Sequence, residues 1–175
     1  MVRVPSVLTV EQVDCLIGAG SDLFEQTVPS VLFSSGALLT ELVSFRLLDV
    51  EWKVEESRSG YIRFHPEANP ARVAPLNPKA LELLRSYIVW KPSQKGWLFE
   101  NAGGSRYKAR EILGLLNRLA GRAKLGEVKA TTLRDAMAVH FLERGGSPLV
   151  LDQILGPAPL GEAGRYARMK LVYEE

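Results

Sequence analysis

Apolar positions along this 175-residue chain recur first at helical spacing, then in short alternating runs, then at helical spacing again. Val10, Val13, Leu16 and Ile17 follow Thr9 and Gln12, a capping-box pair, and predict a helix from about Val10 toward Gly18. Pro29 reads as the opening of a second apolar helix over 31–34, broken near Gly36. Leu38, Leu39, Leu42, Val43 and Phe45 predict a third. Beyond Asp49 the runs 50–54, 61–64 and 72–76 read as strands, with turn material at 57–60 and 66–70 between them. Asn77-Pro78 then supplies a cap and a first helical residue for a helix with Leu81, Leu84 and Ile88 on one face.

After the apolar anchor Trp97-Leu98-Phe99, Ser105 is read as the start of a long basic amphipathic helix with Ile112, Leu115, Leu116 and Leu119 inward. Thr131 or Thr132 is expected to cap the next helix, ending at Gly145. Ser147-Pro148 opens another that stops at Gly156, and 161–173 forms the last. The fold class this predicts is α+β: mostly helical, with one small three-stranded antiparallel sheet, as a single domain over 1–175.

Composition narrows the function classes. With 46% apolar and 24% charged residues, disordered, collagen-like and disulfide-scaffold readings drop out. One cysteine, Cys15, excludes an internal disulfide and a thiolate zinc cluster, and two histidines, His65 and His140, leave little for a histidine-built metal site. No apolar run reaches the ~18 residues of a membrane span, and 1–8 lacks the layout of a signal peptide. The default is a cytoplasmic protein without metal or organic cofactor.

The net charge of +2 hides an asymmetry. Residues 1–60 carry 4 Lys/Arg and 9 Asp/Glu. Over 105–134 the cations Arg106, Lys108, Arg110, Arg118, Arg122, Lys124, Lys129 and Arg134 face only Glu111 and Glu127. Such a block suits a binder of backbone phosphates, and it equally suits a solvated helix face.

Thr131-Thr132-Leu133-Arg134-Asp135, then Leu155-Gly156-Pro157 and Tyr166, resemble the catalytic domain of the tyrosine recombinase (phage integrase) family. That family carries H-x-L-R-H, then L-G-H, then a nucleophilic tyrosine, at matching spacing. The run Phe141-Leu142-Glu143-Arg144-Gly145 is close to its helix ending in E-R-G. Gly36-Ala37-Leu38-Leu39-Thr40-Glu41-Leu42 with Asp49 resembles its T-G-L-R-x-S-E-L segment and the aspartate that begins the sheet. Arg72-Val73-Ala74-Pro75-Leu76 resembles its R-x-V-P-L strand. The resemblance spans nearly the whole chain, which begins at what would be the linker, so the family's N-terminal DNA-clamping domain is not expected here.

What the resemblance implies is chemistry by Tyr166 and Arg134. In the family the tyrosine attacks a DNA phosphate to give a 3′-phosphotyrosyl link. Two arginines neutralise the phosphate oxygens, a histidine assists proton movement, and a lysine protonates the leaving 5′-oxygen. Such donors and acid–base groups are each worth about 10²-fold or more in rate. Here the first arginine falls on Leu38, the lysine near Glu67, the H-x-x-R histidine on Thr131 and the L-G-H histidine on Pro157. Leu38 donates no hydrogen bond, and Pro157 has neither a side-chain donor nor a backbone N–H. The implied reading is a DNA-binding integrase-like domain, related to site-specific recombination and integration, with impaired catalysis.

Double-stranded DNA is its expected partner, gripped by Arg106, Lys108, Arg110, Arg118, Arg122, Lys124 and Lys129. A homo-oligomer or a partner recombinase would be held through the C-terminal helix. Two alternatives stay open: an active recombinase with rearranged groups, in which Arg58, Arg63 or Arg72 replaces the lost arginine, or a protein-interaction module. Arg134 reads equally as a phosphate clamp or as a structural partner of Asp135 or Glu41. His140 reads as a core-edge histidine, His65 as exposed, Cys15 as core, and Trp52, Trp90 and Trp97 as packing anchors.

Overall fold

The computed structural model describes residues 7–52, 60–64, 72–91, 94 and 96–156. Its elements run α1 (Val10–Gly18), α2 (Leu23–Ser35), α3 (Leu39–Leu42), a 3-10 turn (Leu47–Asp49), β1 (Val50–Trp52), β2 (Gly60–Phe64), β3 (Arg72–Leu76), α4 (Pro78–Trp90), α5 (Ala109–Arg122), α6 (Ala130–Glu143) and α7 (Pro148–Leu155). The expected helix at 161–173 lies outside the described residues.

Where the signals are local, the structure follows them. Thr9 and Gln12 exchange both bonds of a capping box at the start of α1. Asn77 Oδ1 accepts the Ala80 N–H at 2.8 Å, with Pro78 as first residue of α4. The sheet is antiparallel in the order β1-β2-β3, with Val50 opposite Ile62 and Ile62 opposite Ala74. Alternation turns Ile62, Phe64, Ala74 and Leu76 inward and Arg63, Val73 and Pro75 outward. The same alternation turns Arg72 inward.

α2 departs from expectation. It begins at Leu23, because Asp22 Oδ1 accepts the Glu25 N–H at 2.8 Å, and Pro29 lies inside it. An interior proline removes a helical hydrogen bond. Burial supports this one: Thr27 through Leu32 are all buried, and α2 packs against α4 and α6, and also against α1, β3 and α5. α2 is therefore the central helix rather than a short connector.

α5 begins at Ala109 instead of Ser105. Glu111 Oε2 accepts the Lys108 N–H at 2.7 Å, and Arg106 is held upstream in a β-bridge with Glu100. At the start of α6 the cap is Lys129, whose N–H donates to Thr132 Oγ1, so Thr131 and Thr132 lie in the first turn. Cys15 is exposed, since Val13, Leu16 and Ile17 take the inner face of α1. Trp90 is 52% exposed at the end of α4. Trp52 and Trp97 are half-buried. No helix of the described residues is long and apolar enough to cross a membrane.

Replacing Asp22 by Ala removes the cap of the central helix. The expected loss is about 1 kcal/mol in urea denaturation. No loss would show that packing alone sets where α2 begins.

Candidate functional site: an arginine-tied junction

Gly36 ends α2 in the left-handed region, φ 66°, and turns the chain through Ala37 and Leu38 into α3. A side chain there would be strained and would meet Met137 Cε at 2.5 Å and Leu155 Cδ2 at 2.8 Å. The Leu38 N–H donates to Glu41 Oε2 at 2.8 Å, which fixes the turn. Leu38 itself is half-buried.

Glu41 has a second task. Its oxygens accept from Arg72 Nη2 at 2.6 and 2.5 Å, with the two side chains 3% and 4% exposed respectively. Arg72 also donates through Nη1 to the Ile154 carbonyl, and its guanidinium carbon lies 3.5 Å from the centroid of the Phe64 ring. Gly156, at φ 80°, leaves room for it: a Cβ at that position would meet Arg72 Cδ at 2.8 Å. Arg134, on the first turns of α6, donates from Nη1 to the Gly36 carbonyl at 2.6 Å and from Nη2 to the Leu155 carbonyl at 2.9 Å. Two arginines thus tie the α2–α3 turn, β3, α6 and the end of α7 together.

These positions bear on two sequence readings. Glu41 pairs with Arg72, so Arg72 is held in the core rather than offered to a phosphate in place of the missing arginine. Arg134 is buried, with 6% exposure, against main-chain oxygen. Arg63 forms an ion pair with Glu51 across β1 and β2. Thr131 is exposed. Tyr166, Pro157, Glu67, Arg58 and His65 lie outside the described residues. Sequence reasoning missed the Arg72–Glu41 pair. Its one signal was the strand alternation, which places a cation on the core face and so demands a buried carboxylate.

His140 behaves as a core-edge residue: Nδ1 lies 3.0 Å from Glu143 Oε2 and Nε2 lies 2.8 Å from the Leu8 carbonyl oxygen. It borders a cavity of about 320 Å³ with Phe33, Met137, Phe141, Arg144 and Ile154. Among the described residues, no group of three or more His, Cys, Asp or Glu side chains is placed to hold a metal ion.

Apart from the buried Arg134, the basic block is exposed, yet it is not one face. Arg122 donates to Glu25 Oε2 at 2.6 Å and to the Ala19 carbonyl at 3.3 Å, and Arg118 lies 3.9 Å from Glu25. Lys129 pairs with Glu127 at 3.2 Å. Arg106, Lys108, Arg110 and Lys124 have no acidic partner among the described residues. Arg110 lies twelve residues, about 18 Å of helix, from Arg122. The Ser21 N–H, assisted by the Ser21 hydroxyl and by Arg122, holds the Glu25 carboxyl down at about 2 against the upward push of burial.

The chain belongs to the phage integrase family, whose model matches residues 6–171. It is 26% identical over 188 residues to tyrosine recombinase XerD of Halalkalibacterium halodurans, covering 98% of this chain and 61% of that protein. Among solved structures it is similar to XerA recombinase, with TM-score 0.81, 23% identity, and coverage of 97% of this chain and 65% of that one. It is also similar to XerH site-specific recombinase bound to its palindromic difH substrate, with TM-score 0.78, 18% identity, and coverage of 98% and 52%. The chain therefore spans between about half and two thirds of the length of these proteins, and the fold is that of tyrosine-recombinase catalytic domains.

Glu41→Gln keeps an acceptor for the Leu38 N–H but strands the Arg72 charge. The expected destabilisation is about 3–5 kcal/mol in urea denaturation. A loss under about 1 kcal/mol would mean that the pair does not hold the junction. The Glu25 carboxyl is depressed in the fold, so its contribution is present above the unfolded value near 4.5. It is lost as pH falls from there toward 2. Thermal unfolding between pH 6 and 2 should show a shallower acid decline in Glu25→Gln than in the parent; an identical decline would refute the assignment.

Proposed function

We propose that this domain binds double-stranded DNA as a tyrosine-recombinase catalytic domain whose strand-cleaving chemistry is impaired. The observation that carries the second half is the state of the two arginine positions. One is Leu38, which has no donor. The other, Arg134, already directs two of the five guanidinium N–H groups at backbone carbonyls in a buried setting. A phosphate whose 5′-oxygen is displaced by the attacking phenol, and leaves as the 5′-hydroxyl, would meet less positive charge here than two arginines supply. Thr131 and Pro157 at the histidine positions add no strong acid or base.

The DNA-binding half rests on family membership and on cations without carboxylate partners among the described residues. Arg106, Lys108 and Arg110 cluster at the start of α5, with Lys124 beyond its end. Arg118 and Arg122 brace α5 against the α1–α2 turn and belong to the domain's own architecture. The similar XerH structure holds its difH substrate in this fold.

Two measurements check this. In a salt titration of duplex binding, Lys108→Ala with Arg110→Ala should flatten the plot of log K against log salt by about 0.9 per contact, whereas Arg118→Ala with Arg122→Ala should leave it nearly unchanged. Absence of duplex binding at low salt would overturn the DNA reading and favour the protein-interaction one. On a nicked suicide duplex no covalent adduct should form; an adduct that disappears in Tyr166→Phe would overturn impairment.

A further inference from the structure

Trp97 carries two cations. The Arg46 guanidinium carbon lies 5.1 Å from its ring centroid and that of Arg106 lies 5.3 Å from it. The two charges are thus no more than about 10 Å apart, roughly one screening length at 0.1 M salt, so they act on an approaching anion together. Both arginines are exposed, and neither has a carboxylate partner among the described residues. By contrast Arg63, Arg118 and Arg122, also exposed, lie against Glu51 or Glu25.

The framework under this cluster is unusually fixed. Arg46 and Trp97 form one β-bridge, and Glu100 and Arg106 form another. The Arg46 N–H donates to Asp49 Oδ2 at 2.7 Å. The Trp97 N–H donates to Glu100 Oε1 at 2.9 Å, and Lys91 Nζ donates to the Trp97 carbonyl at 2.5 Å. Lys91 and Glu100 pair at 3.3 Å with side chains wholly buried. A fully buried ion pair thus grips the tryptophan backbone from both sides, and two guanidinium groups lie over the ring. A guanidinium held over an aromatic face can still turn its N–H edge to a phosphate for bidentate contact.

We propose that Arg46, Trp97 and Arg106 form a preorganised phosphate platform for the backbone of double-stranded DNA. It joins the turn before β1 to the contact made by the start of α5. The proposal rests on the DNA-binding reading above and adds Arg46 as a contact and Trp97 as a positioning residue. Because the ring is occupied by guanidinium groups, it is not offered to a base, and the platform is indifferent to sequence.

The test is fluorescence anisotropy of a labelled generic duplex with the full chain, from 50 to 200 mM salt. Arg46→Gln should reduce the slope of log K against log salt by about 0.9, the share of one phosphate contact. Trp97→Leu changes no charge, and its affinity should fall by roughly threefold or more as the arginines lose their shared support. Lys79→Gln, which removes a cation already paired with Asp14, is the matched control and should keep the parent slope. Circular dichroism establishes that each variant is folded; if Trp97→Leu is not, Arg46→Gln decides alone. A parent slope in Arg46→Gln, or parent affinity in folded Trp97→Leu, overturns the platform and leaves the DNA reading standing. Failure of the parent protein to bind at 50 mM salt overturns both.

Discussion

One buried ion pair, Arg72 with Glu41, determines how the parts of the candidate site meet. Removing two charges from water is expensive, and the cost is recovered only with close geometry and further hydrogen bonds. Those bonds account for much of the architecture. Glu41 also receives the N–H that starts α3, and Arg72 also reaches the last turn of α7. The glycine that follows α7 is needed because the arginine occupies the space a Cβ would take. Arg134 repeats the arrangement from α6, joining the end of α2 to the end of α7. Hydrophobic burial brings the helices together, but it is non-directional; the arginines set the relative placement of four chain segments.

That placement separates scaffold from chemistry. The turn that presents residue 38 is built and capped although a leucine occupies it. The arginine on α6 donates to main-chain oxygen of the α2–α3 turn and of α7. The joints of the candidate site are stabilised by their own contacts, whichever side chains stand beside them. The same distinction holds on α5, where part of the positive charge is directed at Glu25 and part has no acidic partner among the described residues. Net charge over a segment says nothing about that division.

The architecture was largely legible in the sequence wherever a signal acts within a few residues. The capping box at Thr9, the Asn77-Pro78 start and the alternation in β2 and β3 are all local. The errors came where a distant partner decides. Pro29 looked like a helix opening, but Asp22 caps the helix earlier and burial against α4 and α6 tolerates the proline. Ser105 looked like the start of α5, but Glu100 draws Arg106 into a bridge. Cys15 sits one position from a buried leucine, and a single step of helical phase turns it outward. The pairing of Arg72 with Glu41 spans 31 residues and leaves no pattern in sequence beyond an arginine in inward register.

The junction also has a bearing on the order of folding. Its ties link residues 31, 82, 98 and 21 apart along the chain. Contacts of such separation require long loops to close, and if the helices and the sheet form first the arginine junction closes late. Interactions made after the rate-limiting step slow unfolding without hastening folding. A junction that closes in that order is a latch on the native state: its loss would speed escape from the fold while leaving the route into the fold almost untouched.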